Sequence, residues 1–110
     1  DLHAEFEAQY KEAFENIDEI AERIRVFGET PYSNMQEYLR HSEIKEASTQ
    51  HPSDIMVREL LNDYRVLIQY LGAVIEIASE QGDVGTENMI KGYIKSIEKH
   101  HWMLTAFLAK

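Results

Sequence analysis

Apolar residues recur along most of the chain at steps of three, four and seven, the rhythm of helices with one side facing a core. From Leu2 to Gly28 the stripe is Leu2, Phe6, Ala13, Ile17, Ile20, Ile24 and Phe27, which predicts one long helix. Gly28 reads as its C′ residue, and Thr30-Pro31 enforces the break because the residue before proline avoids helical angles. Ser33-Asn34-Met35-Gln36 reads as a capping box opening a short helix over roughly 34 to 41, with Met35, Tyr38 and Leu39 on one side to cover the core. The text from His41 to Pro52 is polar and reads as loop. Ser53 or Asp54 then caps a long helix whose Leu60, Tyr64, Leu67, Leu71, Val74 and Ala78 form a seam, with Gly72 marking a close helix approach. A tight turn over 81–86 follows, with Asp83 or Thr86 capping a last helix that carries Ile90, Ile94, Ile97, His101, Leu104 and Leu108.

These elements predict an all-α protein with three long helices and one short one. The short turn makes the last two long helices antiparallel. The connection between the first two, about 25 residues, is far longer than the two to eight that join antiparallel neighbours. It is long enough to run the length of a bundle and set the helices on either side of it parallel.

Composition narrows the function. A chain of 110 residues, 44% apolar and 28% charged, allows one domain with a modest core. It has no cysteine, no apolar run long enough to cross a membrane and no secretory signal pattern, so a cytoplasmic protein is the default expectation. The formal charge of −9 opposes binding to a phosphate backbone and favours attraction of cations. Phosphate-cradling glycine loops, GxSxG and CxxC are absent, which leaves nucleotide, hydrolase and thiol-redox chemistry without a foothold.

Beside the first apolar stripe runs a second line of residues: His3, Glu7, Asp18 and Glu22. At about 100° per residue they fall within an arc of about 100°, and HxxxE and DxxxE each put two potential ligands one turn apart. The midpoints of the two pairs are separated by about 22 Å of helix rise, so they cannot share an ion within one helix. Two copies packed antiparallel about a two-fold axis remove that obstacle. His3 and Glu7 of one copy then lie opposite Asp18 and Glu22 of the other, twice over. An imidazole with three carboxylates suits iron(II), manganese or zinc. The same spacing also fits an acidic helix face that simply meets water.

The run His3-x3-Glu7-x10-Asp18-x3-Glu22-Arg23 resembles the second helix of the Dps mini-ferritins, which has HxxxD followed by DxxAER in this register. Glu7 stands where that family usually has Asp. Residues 28–47, GETPYSNMQEYLRHSEIKEA, resemble the family's crossover, and residues 98–110, EKHHWMLTAFLAK, its closing segment. The resemblance implies a ferritin-like four-helix bundle with a short helix in the long crossover. It makes His3, Glu7, Asp18 and Glu22 ferroxidase ligands shared between two subunits. It further implies a homo-dodecameric shell that oxidises iron(II), with hydrogen peroxide preferred over dioxygen, and stores the iron(III) mineral; zinc or manganese are possible substitutes. The family's first helix, which ends in a His-Trp-Asn motif carrying another ligand, has no counterpart in residues 1–110, so this domain is expected to be incomplete at its N-terminal side.

Around the turn between the last two helices, Glu80, Asp83 and Glu87 read as helix capping and solvated charge, or, under the resemblance, as an acidic pore mouth that draws in iron(II). His101 falls on the predicted seam as a core or interface histidine, with His100 exposed beside it; His41 and His51 belong to the crossover. Trp102 reads as packing in a core or interface, or as an oxidisable electron donor near a metal. A non-catalytic, DNA-protecting or structural cage is the competing reading. Direct DNA coating is disfavoured by the acidic charge and by a C-terminus, Leu108-Ala109-Lys110, without a basic tail.

Overall fold

The computed structural model describes residues 2–48 and 50–109. Among them there are four helices and no strand: α1 Leu2–Val26, α2 Met35–His41, α3 Ser53–Glu80 and α4 Val84–Leu108. The chain divides into two compact units, Asp1–Ser42 and Glu43–Lys110.

In the first unit, α1 runs without a glycine or proline for 25 residues. Side chains one turn apart support it: Gln9 Nε2 donates to Glu5 Oε1 at 2.9 Å, and Lys11 Nζ pairs with Glu7 Oε1 at 3.1 Å. The helix closes in a Schellman motif. Gly28 takes φ +82°, its N–H donates to the Arg25 carbonyl, and the Glu29 N–H donates to the Ile24 carbonyl. Gly28 is therefore the C′ residue that its position in the sequence suggests.

α2 begins one residue later than the Ser33 capping box would have it. Asn34 is the N-cap: its Oδ1 accepts from the Glu37 N–H at 2.9 Å, while Glu37 Oε1 accepts from the Ser33 N–H at 3.1 Å. Glu37 outcompetes Gln36 because it stands three residues beyond the better cap. The ring of His41 stacks on Tyr32 at 4.5 Å, and Tyr38 Oη donates to the Tyr32 carbonyl, so the two ends of α2 are tied locally. Met35, Tyr38 and Leu39, expected to cover a core, remain exposed.

The second unit is an antiparallel helix pair with its own core. α3 and α4 pack on each other, joined by a turn that begins with a second Schellman motif. Gly82 takes φ +70°, and the Gly82 and Asp83 N–H groups donate to Ser79 and Ala78 carbonyls. Asp83 is then the N-cap of α4, its Oδ1 accepting from the Thr86 N–H at 3.1 Å. At the other end of α3 the expected Ser53 or Asp54 cap is not used; Pro52 occupies the N-cap position with no side-chain bond.

The buried line on α3 is Val57, Leu61, Leu71 and Ala78, with Tyr64, Ile68 and Ile75 half-buried between them. Of the expected seam, Leu71 and Ala78 are buried and Leu60, Tyr64 and Leu67 half-buried, while Val74 is exposed and the next residue, Ile75, is half-buried in its place. α3 carries apolar residues around much of its circumference, so periodicity alone admits both lines. On α4 the line is Ile90, Tyr93, Ile97 and Leu104. Val57 and Leu104 lie fully inside, each removing a branched aliphatic chain from water at a gain of about 1.5–3 kcal/mol. His100, expected to be exposed, is half-buried as His101 is, and it stacks on Tyr64 with ring centroids 6.3 Å apart. Gly72 has no atom within 4 Å of where a Cβ would stand, so the close approach expected there is not found.

Candidate metal centre

One side of α1 is withdrawn from solvent and the other is not. Gln9 is buried, and Leu2, Phe6, Ile20 and Ile24 are half-buried. Three members of the expected core stripe depart from it: Ala13, Ile17 and Phe27 are exposed. Phe27 lies past the helical residues, with the Arg23 guanidinium 5.0 Å above its ring.

His3, Glu7, Asp18 and Glu22 are all exposed. Because α1 is unbroken from Leu2 to Val26, their helical phase holds: each pair spans one turn, and the four lie on one side. The pairs stay about 22 Å apart along the axis, and no three His, Asp or Glu residues among those described are grouped closely enough to hold a metal ion. Within one chain, then, the helix brings His3 to Glu7 and Asp18 to Glu22 but does not bring the pairs together.

Between the two pairs lie Tyr10, Phe14 and Ile17, with exposures of 68, 63 and 55%. In helical angle they overlap His3 and Glu7, so the ligand side of α1 is also its most apolar exposed side. Large exposed side chains grouped this way mark a surface that associates. A two-fold axis that sets residues 3 and 7 opposite 22 and 18 passes between positions 12 and 13, and Tyr10 and Phe14 straddle that point.

One residue in this neighbourhood escaped the motif reading. Lys11 stands four residues after Glu7, the favourable order for a helical ion pair, and it makes one. The signal was present as Glu-x3-Lys but carries no family information.

The acidic residues at the α3–α4 turn have local duties. Asp83 caps α4, and the Glu87 carboxylate accepts from Lys91 Nζ at 2.5 Å. Glu80 is exposed at the last position of α3. In the crossover, His51 Nε2 lies 3.6 Å from Glu59 Oε1. Trp102 is 68% exposed, so it is not a core residue of the described chain. No described helix is long and apolar enough to cross a membrane.

Comparison with known proteins gives the family and the fold. A ferritin-like domain family model matches residues 1–110. DNA protection during starvation protein 2 of Bacillus anthracis is 41% identical over 107 residues, covering 97% of this chain and 73% of the relative. The chain belongs to the Dps family of ferritin-like proteins. Its all-α fold is correspondingly ferritin-like: the crystal structure of Dps from Staphylococcus aureus superimposes with a TM-score of 0.93 at 39% identity, covering 97% of this chain and 72% of that one. A Vibrio cholerae Dps, described as a member of a broad superfamily of ferritin-like diiron-carboxylate proteins, gives a TM-score of 0.93 at 34% identity, covering 97% and 67%.

Proposed function

We propose that this Dps protein binds and stores iron, and that it oxidises iron(II) at sites shared between two copies of α1. The observation that carries the reading is the arrangement on one side of that helix: HxxxE and DxxxE pairs, separated by the exposed Tyr10, Phe14 and Ile17. A two-fold antiparallel pair of α1 helices buries the apolar trio at its centre. At each end it forms a cluster of His3 and Glu7 from one copy with Asp18 and Glu22 from the other.

The donor set fits iron. Oxygen ligands and imidazole suit a borderline-hard cation, and carboxylates favour the trivalent over the divalent ion, which promotes loss of an electron at that place. Zinc and manganese are accepted by the same donors. With hydrogen peroxide as oxidant, two iron(II) ions each give one electron, the O–O bond breaks, and two protons complete two water molecules. The iron(III) is then held as mineral within a homo-dodecameric, cytoplasmic shell. The acidic turn of Glu80, Asp83 and Glu87 serves as the route by which cations are drawn in, its charge adding to the capping and pairing roles of Asp83 and Glu87.

A second reading, protection of DNA, is supported by the B. anthracis relative's name. Removing iron(II) and peroxide together suppresses hydroxyl-radical damage without contact to DNA. The net charge of −9 favours that indirect route over coating the phosphate backbone. A gel-shift at low salt separates the two, with no salt-sensitive retention of DNA expected.

The decisive experiment is the double variant Asp18→Ala/Glu22→Ala. Rapid iron(II) oxidation, followed by stopped-flow absorbance, should fall by at least about a hundredfold while the assembly state by size exclusion is unchanged. Wild-type oxidation kinetics in that variant would remove the shared site.

A further inference from the structure

From the ion pair on the ligand face we infer that Lys11 is a built-in competitor for iron at Glu7, a positioning residue that sets how tightly the site takes its metal. The inference rests on the proposed shared site and goes beyond it. Glu7 is one methylene longer than the aspartate usual at this place in the family. That extra length lets its carboxylate reach one turn along α1, where Lys11 Nζ meets Oε1 at 3.1 Å. The pair runs in the favoured sense, carboxylate toward the N-terminus and ammonium toward the C-terminus. Before any metal arrives, one oxygen of Glu7 already has a cation.

An incoming iron(II) has two ways past it. If the ammonium stays, it stands beside a doubly charged ion bridged to it by a single carboxylate, an unfavourable contact of like charges. If it swings away, only the ion pair is lost. In the single chain the Lys11 side chain is 65% exposed and that of Glu7 51%, so before two α1 helices pair the ammonium is free to turn into water and the ion pair is worth no more than an ordinary surface one. The less costly path governs. Lys11 therefore weakens metal binding by the equivalent of one exposed ion pair, about two- to fivefold in dissociation constant. Glu7 is thereby kept oriented along the helix and neutralised until a divalent ion displaces its partner.

The test is anaerobic calorimetric titration of the assembled full-length chain with iron(II), which reads binding without turnover. Lys11→Gln should bind iron(II) about two- to fivefold more tightly than wild type, and Lys11→Arg, which keeps the cation, should restore the wild-type value. In a Glu7→Gln background, which should itself bind more weakly, Lys11→Gln should change nothing. Affinity in Lys11→Gln that is unchanged or weaker overturns the inference and leaves the shared site standing, provided Glu7→Gln has weakened binding. An equal gain in the Glu7→Gln background also overturns it, because the effect would then be general surface charge. If Glu7→Gln binds like wild type, Glu7 is no ligand, and the inference falls together with that part of the site.

Discussion

The α3–α4 pair and α1 use the same helical alphabet to different ends. On α3 and α4 the deepest positions, Val57, Leu61, Leu71, Ala78, Ile90, Tyr93, Ile97 and Leu104, are withdrawn into one core, and the turn between the helices is fixed by Gly82 and the Asp83 cap. On α1 the only buried residue is the polar Gln9, while Tyr10, Phe14 and Ile17 face water beside four metal-ligand types. The first region spends its apolar surface on its own stability. The second keeps apolar surface outward, next to charge, as an associating protein does at an interface. The proposed chemistry and assembly thus fall on the helix whose large apolar side chains Tyr10, Phe14 and Ile17 stay exposed.

The largest expected contrast comes from truncating one residue in each region. Leu104→Ala should lower stability by about 2–5 kcal/mol in urea denaturation, because a fully enclosed side chain leaves a cavity. Phe14→Ala should change the stability of the dissociated chain by under about 0.5 kcal/mol, since its ring is 63% exposed, yet shift the oligomer toward smaller species by analytical ultracentrifugation. Equal losses in the two variants would erase the distinction. A smaller effect is expected at the turn. Asp83→Ala removes the oxygen that accepts from the Thr86 N–H and should lower stability by about 1 kcal/mol. Neither Ser53→Ala nor Asp54→Ala should cost as much, because α3 opens at Pro52 without a side-chain cap.

The smallest effect concerns pH. Asp63, on α3, has its carboxyl held above the ordinary 3.8, first by desolvation on burial and then by the charge of Glu59. A carboxyl whose folded pKa is raised binds its proton more tightly in the folded state, so stability falls as pH rises from 3.8 through the folded value. Asp63→Asn should therefore stabilise the protein at neutral pH and lose that advantage below pH 3.8, with a gain under about 1 kcal/mol because solvent still screens this half-buried group. Denaturation midpoints of the two proteins that stay parallel from pH 3 to 7 would show that Asp63 is not perturbed.

Much of this molecule is legible in its sequence wherever the determining contact is local. Gly28 and Gly82 end helices because a left-handed residue is needed to close a Schellman motif, and glycine adopts it without strain. Asp83 caps α4 through its third neighbour. The phase that puts His3, Glu7, Asp18 and Glu22 on one side follows from helical geometry alone, and so does the distance that keeps the two pairs apart. What local rules cannot supply is the choice among equivalent apolar sides. Leu61 deeper than Leu60, Ile75 half-buried with Val74 exposed, Ile17 outward with Ile20 half-buried: each pair of alternatives satisfies a three-and-four rhythm equally well, and only packing selects one. Tertiary structure also decided that Pro52 opens α3 without a side-chain cap and that no neighbour crowds Gly72. The reason is common to all of these. A helix's ends, pitch and angular register are set by contacts within a turn or two, whereas the side it buries is set by whatever covers it.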